Sequence, residues 1–119
     1  MLKEKISVFI DQIRSISGVA ACALVSRDGI MVGKFFDREI NEQWFGALSA
    51  TILASAESVG SIIKMKSMDS VTIQVENASV VVMGAGENFL IAAIIKENGF
   101  PVKILEQLRT TAKTIGEAM

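Results

Sequence analysis

Histidine is missing from this 119-residue chain, and that absence excludes histidine-based chemistry. Ser-His and Cys-His nucleophile pairs, His-ligated zinc and histidine general bases all fall away. Cysteine occurs once, as Cys22, so neither an internal disulfide nor a cysteine-rich metal site is available. Cys22 sits among Ala20, Ala21, Ala23 and Leu24 with no basic neighbour in sequence, which reads as a buried structural thiol. Excess positive charge is lacking too. Twelve basic residues against thirteen acidic ones leave a net charge of −1, without the electrostatic footprint of a non-specific nucleic-acid binder. No run of about eighteen apolar residues marks a membrane span, and the charged opening Met1-Leu2-Lys3-Glu4-Lys5 carries neither a secretory leader nor a myristoylation signal. The expectation is a cytoplasmic protein that does not insert into membranes.

Apolar residues, by contrast, are plentiful. Half the chain is hydrophobic and the mean hydropathy is +0.45, high for a domain without a span. Such an excess predicts a partner surface as well as a core. Leu2, Ile6, Phe9, Ile13 and Ile16 recur at helical steps, with Ser17-Gly18 as the stop. Residues 19–26 are apolar at both parities, as in a central strand covered on each side. Arg27-Asp28-Gly29 turns the chain into a second strand over 30–36. A long helix is expected over 38–63, capped by Asp37. Residues 71–76 alternate cleanly, Asn77-Ala78-Ser79 turns, and 80–85 and 89–95 form two more strands joined through Gly86-Glu87-Asn88. After a loop over 96–100, Pro101 opens a last helix with a stripe of Val102, Leu105, Leu108, Ala112 and Ile115.

No repeat, linker or low-complexity tract interrupts residues 1–119, so one domain is expected. The two strands that are apolar on both sides belong together in the centre. The hairpin and the meander then fix a five-stranded antiparallel sheet of order 2-1-5-4-3. The long helix crosses one face and the two terminal helices cover the other, an α/β fold in the form of a three-layer α/β/α sandwich.

The long helix has three arcs. Phe45, Leu48, Ile52, Ala56, Val59 and Ile63 are large enough to pack on a sheet. Ala47, Ala50, Thr51, Ala54 and Ser58 are small and admit a second helix closely. Glu42, Gly46, Ser49, Leu53 and Glu57 make the third. The third strand lies at an edge and has neither proline nor charge in Val71-Thr72-Ile73-Gln74-Val75, so it invites pairing. Pairing two copies about a two-fold axis joins the sheets and sets the small arcs together. The dimer interface then comprises Ala47, Ala50, Thr51, Ala54, Ser58, Val71, Ile73 and Val75. The alternative is a monomer whose edge is guarded by residues 65–69. Gly46, Leu53 and Glu57, on the remaining arc, become the candidate partner surface. Trp44 is expected towards the sheet side of the helix, at a core rim or an interface.

The chain resembles the Roadblock family of dynein light-chain and bacterial polarity-regulator type along essentially its whole length. The resemblance rests on Ile13 to Ala20, on Leu24-Val25-Ser26-Arg27-Asp28-Gly29-Ile30, on the small-residue helix, on Val71 to Val75 and on Phe89 to Ile94. It implies a homodimer, or a heterodimer with a Roadblock-like chain, joined through edge strands and central helices. It also implies non-enzymatic work, either docking on a small Ras-like GTPase and modulating its nucleotide cycle or scaffolding a larger complex, motor adaptors among them. It carries no catalytic, cofactor or metal residues. A small-molecule sensor remains a third reading. Gly84-Ala85-Gly86 lies between strands, where a hairpin fits better than a phosphate loop. Arg27 and Arg38 read as solvated arginines rather than an arginine finger.

Overall fold

The computed structural model describes residues 2–65, 69–96 and 102–119. Its elements run α1 (Leu2–Arg14), β1 (Val19–Ser26), β2 (Met31–Phe35), α2 (Glu42–Ile62), β3 (Ser70–Val75), β4 (Ala78–Ala85), β5 (Phe89–Ile95) and α3 (Val102–Ala118). The five strands form one antiparallel sheet in the order β2-β1-β5-β4-β3. Helices α1 and α3 pack on one face and against each other, and α2 lies on the opposite face across β1 to β4. The three-layer sandwich and its strand order are those the sequence predicts. Pro101 and most of the 96–100 loop lie outside the described residues.

The central strands feed two cores because alternate side chains point to opposite faces. Cys22, Leu24, Val81, Met83, Ile91, Ala93 and Ile95 meet Ile13, Leu108 and Ile115 of the terminal helices. Ala23, Val25, Val82 and Leu90 meet Ala50 and Leu53 of α2. Cys22 is fully buried within the first core. Burial pushes its thiol up to about 11 against the opposing pull of the Arg14 charge, so it stays a neutral, inert packing group.

Helix α2 departs from its sequence reading in three ways. Its N-cap is Asn41, not Asp37: the Asn41 side chain accepts a hydrogen bond from the Trp44 amide at 3.1 Å. Residues 36–41 are spent connecting the end of β2 to the helix. The buried face, second, is Gly46, Ser49, Ala50 and Leu53, largely the arc expected to be free. The large residues Leu48, Val59 and Ile63, expected on the sheet, are exposed instead. Trp44, third, is 64% exposed and faces away from the sheet. The reason is a close approach over the β1–β2 turn. A Cβ placed on Gly46 would lie 2.7 Å from the Gly29 carbonyl oxygen, so only a face without bulk at that point can seat.

Candidate interaction surface

The outward side of α2 follows from which side is buried. Trp44, Leu48, Val59 and Ile62 are separated by four, fifteen and eighteen residues, all close to whole turns at 3.6 residues per turn. They line up as one exposed ridge, continued by Ile63 and Met65 beyond the helix end. Ala47, Thr51, Ala54 and Ser58 run beside it and are also exposed. Of the predicted small stripe only Ala50 turns inward, 8% exposed against the sheet. Leu53, proposed from sequence as a partner residue, is 1% exposed and belongs to the core, as does Gly46. Glu57 remains at the surface but is already paired. That arc is therefore core and not the free surface expected from sequence.

By length and composition α2 is apolar enough to cross a bilayer. Its inner face, however, is seated on its own sheet, and between Glu42 and Ile62 it carries no lysine or arginine. A helix lying in a lipid interface is typically lysine- and arginine-rich on its polar side. The ridge therefore suits a protein surface, where a tryptophan flanked by aliphatic residues is a frequent anchor.

Strand β3 extends this surface. Val71, Ile73 and Val75 alternate onto the α2 side, where Val71 joins the second core and Val75 is 44% exposed. Among the described residues the outer edge of β3 has no neighbouring strand, and its pairing with β4 is regular from Ser70 to Val75. Residues 66–68, most of the segment that the sequence offers as an edge guard, lie outside the described residues. The opposite edge, β2, is built differently. Its register breaks between Leu24 and Val25, and Gly33 and Lys34 interrupt it, with Lys34 ion-paired to Glu42. A bulge and an edge lysine are the devices that blunt a sheet edge. Among the described residues the sheet thus has one blunted edge and one without such devices, and the latter adjoins the apolar helix.

Two polar clusters flank the surface. Arg27 is not a solvated turn residue: its guanidinium donates to both Glu57 carboxylate oxygens at 3.1 Å, to the Gly86 carbonyl at 2.7 Å and to the Phe89 carbonyl at 3.1 Å. It ties the β1–β2 turn, the β4–β5 loop and α2 together, which explains why Glu57 is engaged and why Arg27 is no free finger. Arg38 keeps 68% of its side chain exposed and pairs with Asp37. Beyond Arg27, a cavity of about 270 Å³ opens at the start of β3, lined by Arg27, Glu57, Asp69, Gly84, Arg109 and Lys113 among others. Within it Arg109 forms a two-point pair with Asp69, and that pair holds the Asp69 carboxyl below the usual carboxylate range. Sequence reasoning missed both clusters, because their members lie 30 and 40 residues apart and no local spacing marks them.

Among the described residues no three His, Cys, Asp or Glu side chains gather as metal ligands. The buried side-chain polar atom without a hydrogen-bond partner there is the Ser79 hydroxyl. It is not among the residues lining the cavities beside β2, at the start of β3 or between α1 and β2.

Fold and surface together define a small α/β/α domain, with an exposed apolar helix face beside a strand whose outer edge has no partner among the described residues. The Roadblock/LC7 domain pattern matches residues 6–96, and the chain belongs to that family. Comparison with the curated proteins by sequence found no match. Among solved structures, MglB of Myxococcus xanthus superposes with a TM-score of 0.86 at 12% identity, covering 96% of this chain and 94% of that one. The gliding protein MglB of Thermus thermophilus gives 0.82 at 14% identity, covering 97% and 88%. A Roadblock/LC7 domain from Streptomyces avermitilis gives 0.75 at 14% identity, covering 91% of each. At these identities the likeness is one of fold.

Proposed function

We propose that this protein is a non-enzymatic adaptor that works as a homodimer. Two copies join through β3 and the outer face of α2, and the joined surface docks a small Ras-like GTPase and modulates its nucleotide cycle. The observation that carries the reading is the continuous apolar ridge of α2 beside a sheet edge that has no partner strand among the described residues. A monomer would leave Trp44, Leu48, Val59 and Ile62 in water, and contiguous apolar patches of this kind mark interaction sites. Membership of the Roadblock/LC7 family supports the GTPase as the partner class, and a similar structure is described as MglB in a tetrameric arrangement, so oligomers fit this fold. The dimer surface proposed here keeps Ala47, Thr51, Ala54, Ser58, Val71, Ile73 and Val75, releases Ala50 to the core and adds the ridge.

The test is recovery on the immobilised protein from source lysate, with GDP and with a non-hydrolysable GTP analogue, read by mass spectrometry. A Ras-like GTPase enriched in one nucleotide state supports the reading, and turnover assays with that partner then establish the direction of regulation. Nucleotide-independent recovery of structural subunits overturns it in favour of a scaffold.

A further inference from the structure

The dimer proposed above has a register that the strand itself restricts. In a two-fold pairing of identical antiparallel strands, residues directly opposite one another share a face of the sheet. On β3 the faces alternate, with Val71, Ile73 and Val75 on the α2 side and Ser70, Thr72 and Gln74 on the other. The two-fold axis must therefore pass through a residue, not between two, or every valine would face a polar neighbour.

Two centres pair most of the strand. About Thr72, Val71 lies opposite Ile73, but Val75 lies opposite Asp69, whose carboxylate is already held by Arg109. About Ile73, Val71 lies opposite Val75 and Ile73 opposite itself, so all three apolar residues meet apolar partners. Cross-strand pairs of matched character are the stabilising unit of a sheet. The second register is the better one.

That register has a consequence at the strand ends. It brings Glu76 of the partner subunit, the first turn residue beyond β3, towards Ser70, next to the cavity lined by Asp69, Arg109 and Lys113. Among the described residues three cations and two carboxylates line this cavity. Arg27 answers Glu57 and Arg109 answers Asp69, while Lys113 has no ion-pair partner among the described residues. One further carboxylate completes the balance. Glu76 is exposed, at φ +24° in the β3–β4 turn, with no ion pair of its own among the described residues.

We infer that β3 pairs with its copy about Ile73, and that Glu76 of the partner subunit closes the cationic cavity at Lys113 and Arg109, fixing the register. The inference rests on the dimer reading and goes further by naming the contact that sets it.

Cysteine cross-linking reads the register, because the native Cys22 is fully buried and gives no background. With the axis at Ile73, the two positions 73 face each other within the Cα separation a disulfide needs, whereas the two positions 72 stand about 8 Å apart, beyond it. Under mild oxidation Ile73→Cys is expected to form a covalent dimer on non-reducing gels and Thr72→Cys is not. The charge contact is read by sedimentation equilibrium. Glu76→Lys weakens the dimer roughly tenfold at low salt, since two symmetry-related pairs become repulsive. Adding Lys113→Glu to it restores most of the loss. Cross-linking through position 72 but not 73 overturns the register, and a cross-linked dimer indifferent to Glu76→Lys overturns the contact. A wild-type chain that sediments as a monomer overturns the dimer reading itself, a result separate from either.

Discussion

Single residues in this domain act mostly as ties between distant segments. Arg27 binds two carbonyl oxygens and a carboxylate at once, a task that suits a planar guanidinium with its fork of donors and not a lysine. Arg109 donates from two nitrogens to the Asp69 carboxylate alone, linking α3 to the approach to β3. The second tie is legible by titration. Arg109 donates to the Asp69 carboxylate and stands beside it, so the folded-state pKa lies below the unfolded value near 3.9. Stability from the pair is complete above the unfolded value and is lost as pH falls through the folded one. A carbon-detected NMR titration should find Asp69 titrating below the ordinary carboxylate range. Arg109→Gln should return it to the ordinary range. Because both side chains are about half exposed, raising the salt concentration should bring the wild-type value upward as well. An Asp69 that titrates normally in the wild type means the pair is not formed in solution.

At the scale of elements, the strands were legible in sequence and the long helix was only half so. β1, β4 and β5 announce themselves because a strand apolar at both parities can only lie in the middle of a covered sheet, and their order follows from chain connectivity. Helix α2 announces its length but not its orientation. Every arc of it carries apolar residues, so periodicity alone does not choose a face, and size is a poor guide. Bulk was expected inside, whereas the close approach at Gly29 demanded Gly46 and seated the small residues there. Leu53 is the one large side chain on that buried arc, filling the second core under Gly84. Neighbouring positions should therefore behave oppositely. Leu53→Ala removes a fully buried side chain and should cost about 2–5 kcal/mol in thermal or denaturant unfolding, with an altered oligomer only as a by-product. Ala54→Glu places a charge on the exposed stripe and should leave the melting of the monomer nearly unchanged while abolishing the dimer in light scattering. If Ala54→Glu stays dimeric at the wild-type concentration range, α2 is not the interface. The Arg27 and Arg109 ties, joining residues far apart in the chain, carry no periodic signal and became visible only with the fold.

For the whole molecule, what matters is that its two sheet edges differ. A dimer closed through β3 presents two copies of β2 at its outer limits, and each is itself a strand edge. Were β2 as regular as β3, it would pair in turn, and two isologous contacts used alternately build an open filament rather than a closed pair. The bulge opposite Leu24 and Val25 kinks the ladder, and Lys34, held by Glu42, sets a charge at the edge. Gly33 contributes a third constraint for a different reason. A Cβ there would come within 2.5 Å of the Ile6 methyl, so α1 is seated over β2 only because that position is bare. In the proposed dimer these features would stop a molecule rich in apolar surface at two copies. Lys34→Val removes the charge while leaving the bulge and the α1 contact in place, and it raises the β-propensity of the edge. The expected outcome in concentration-dependent light scattering is species larger than a dimer, suppressed again when Ala54→Glu is added, because a filament needs both contacts and a β2-only assembly stops at two. A Lys34→Val chain that remains a clean dimer at high concentration would assign the guarding of this edge to the bulge alone. Higher species that survive Ala54→Glu would show association through some other surface and sever the link between the two edges on which this account of a closed pair depends.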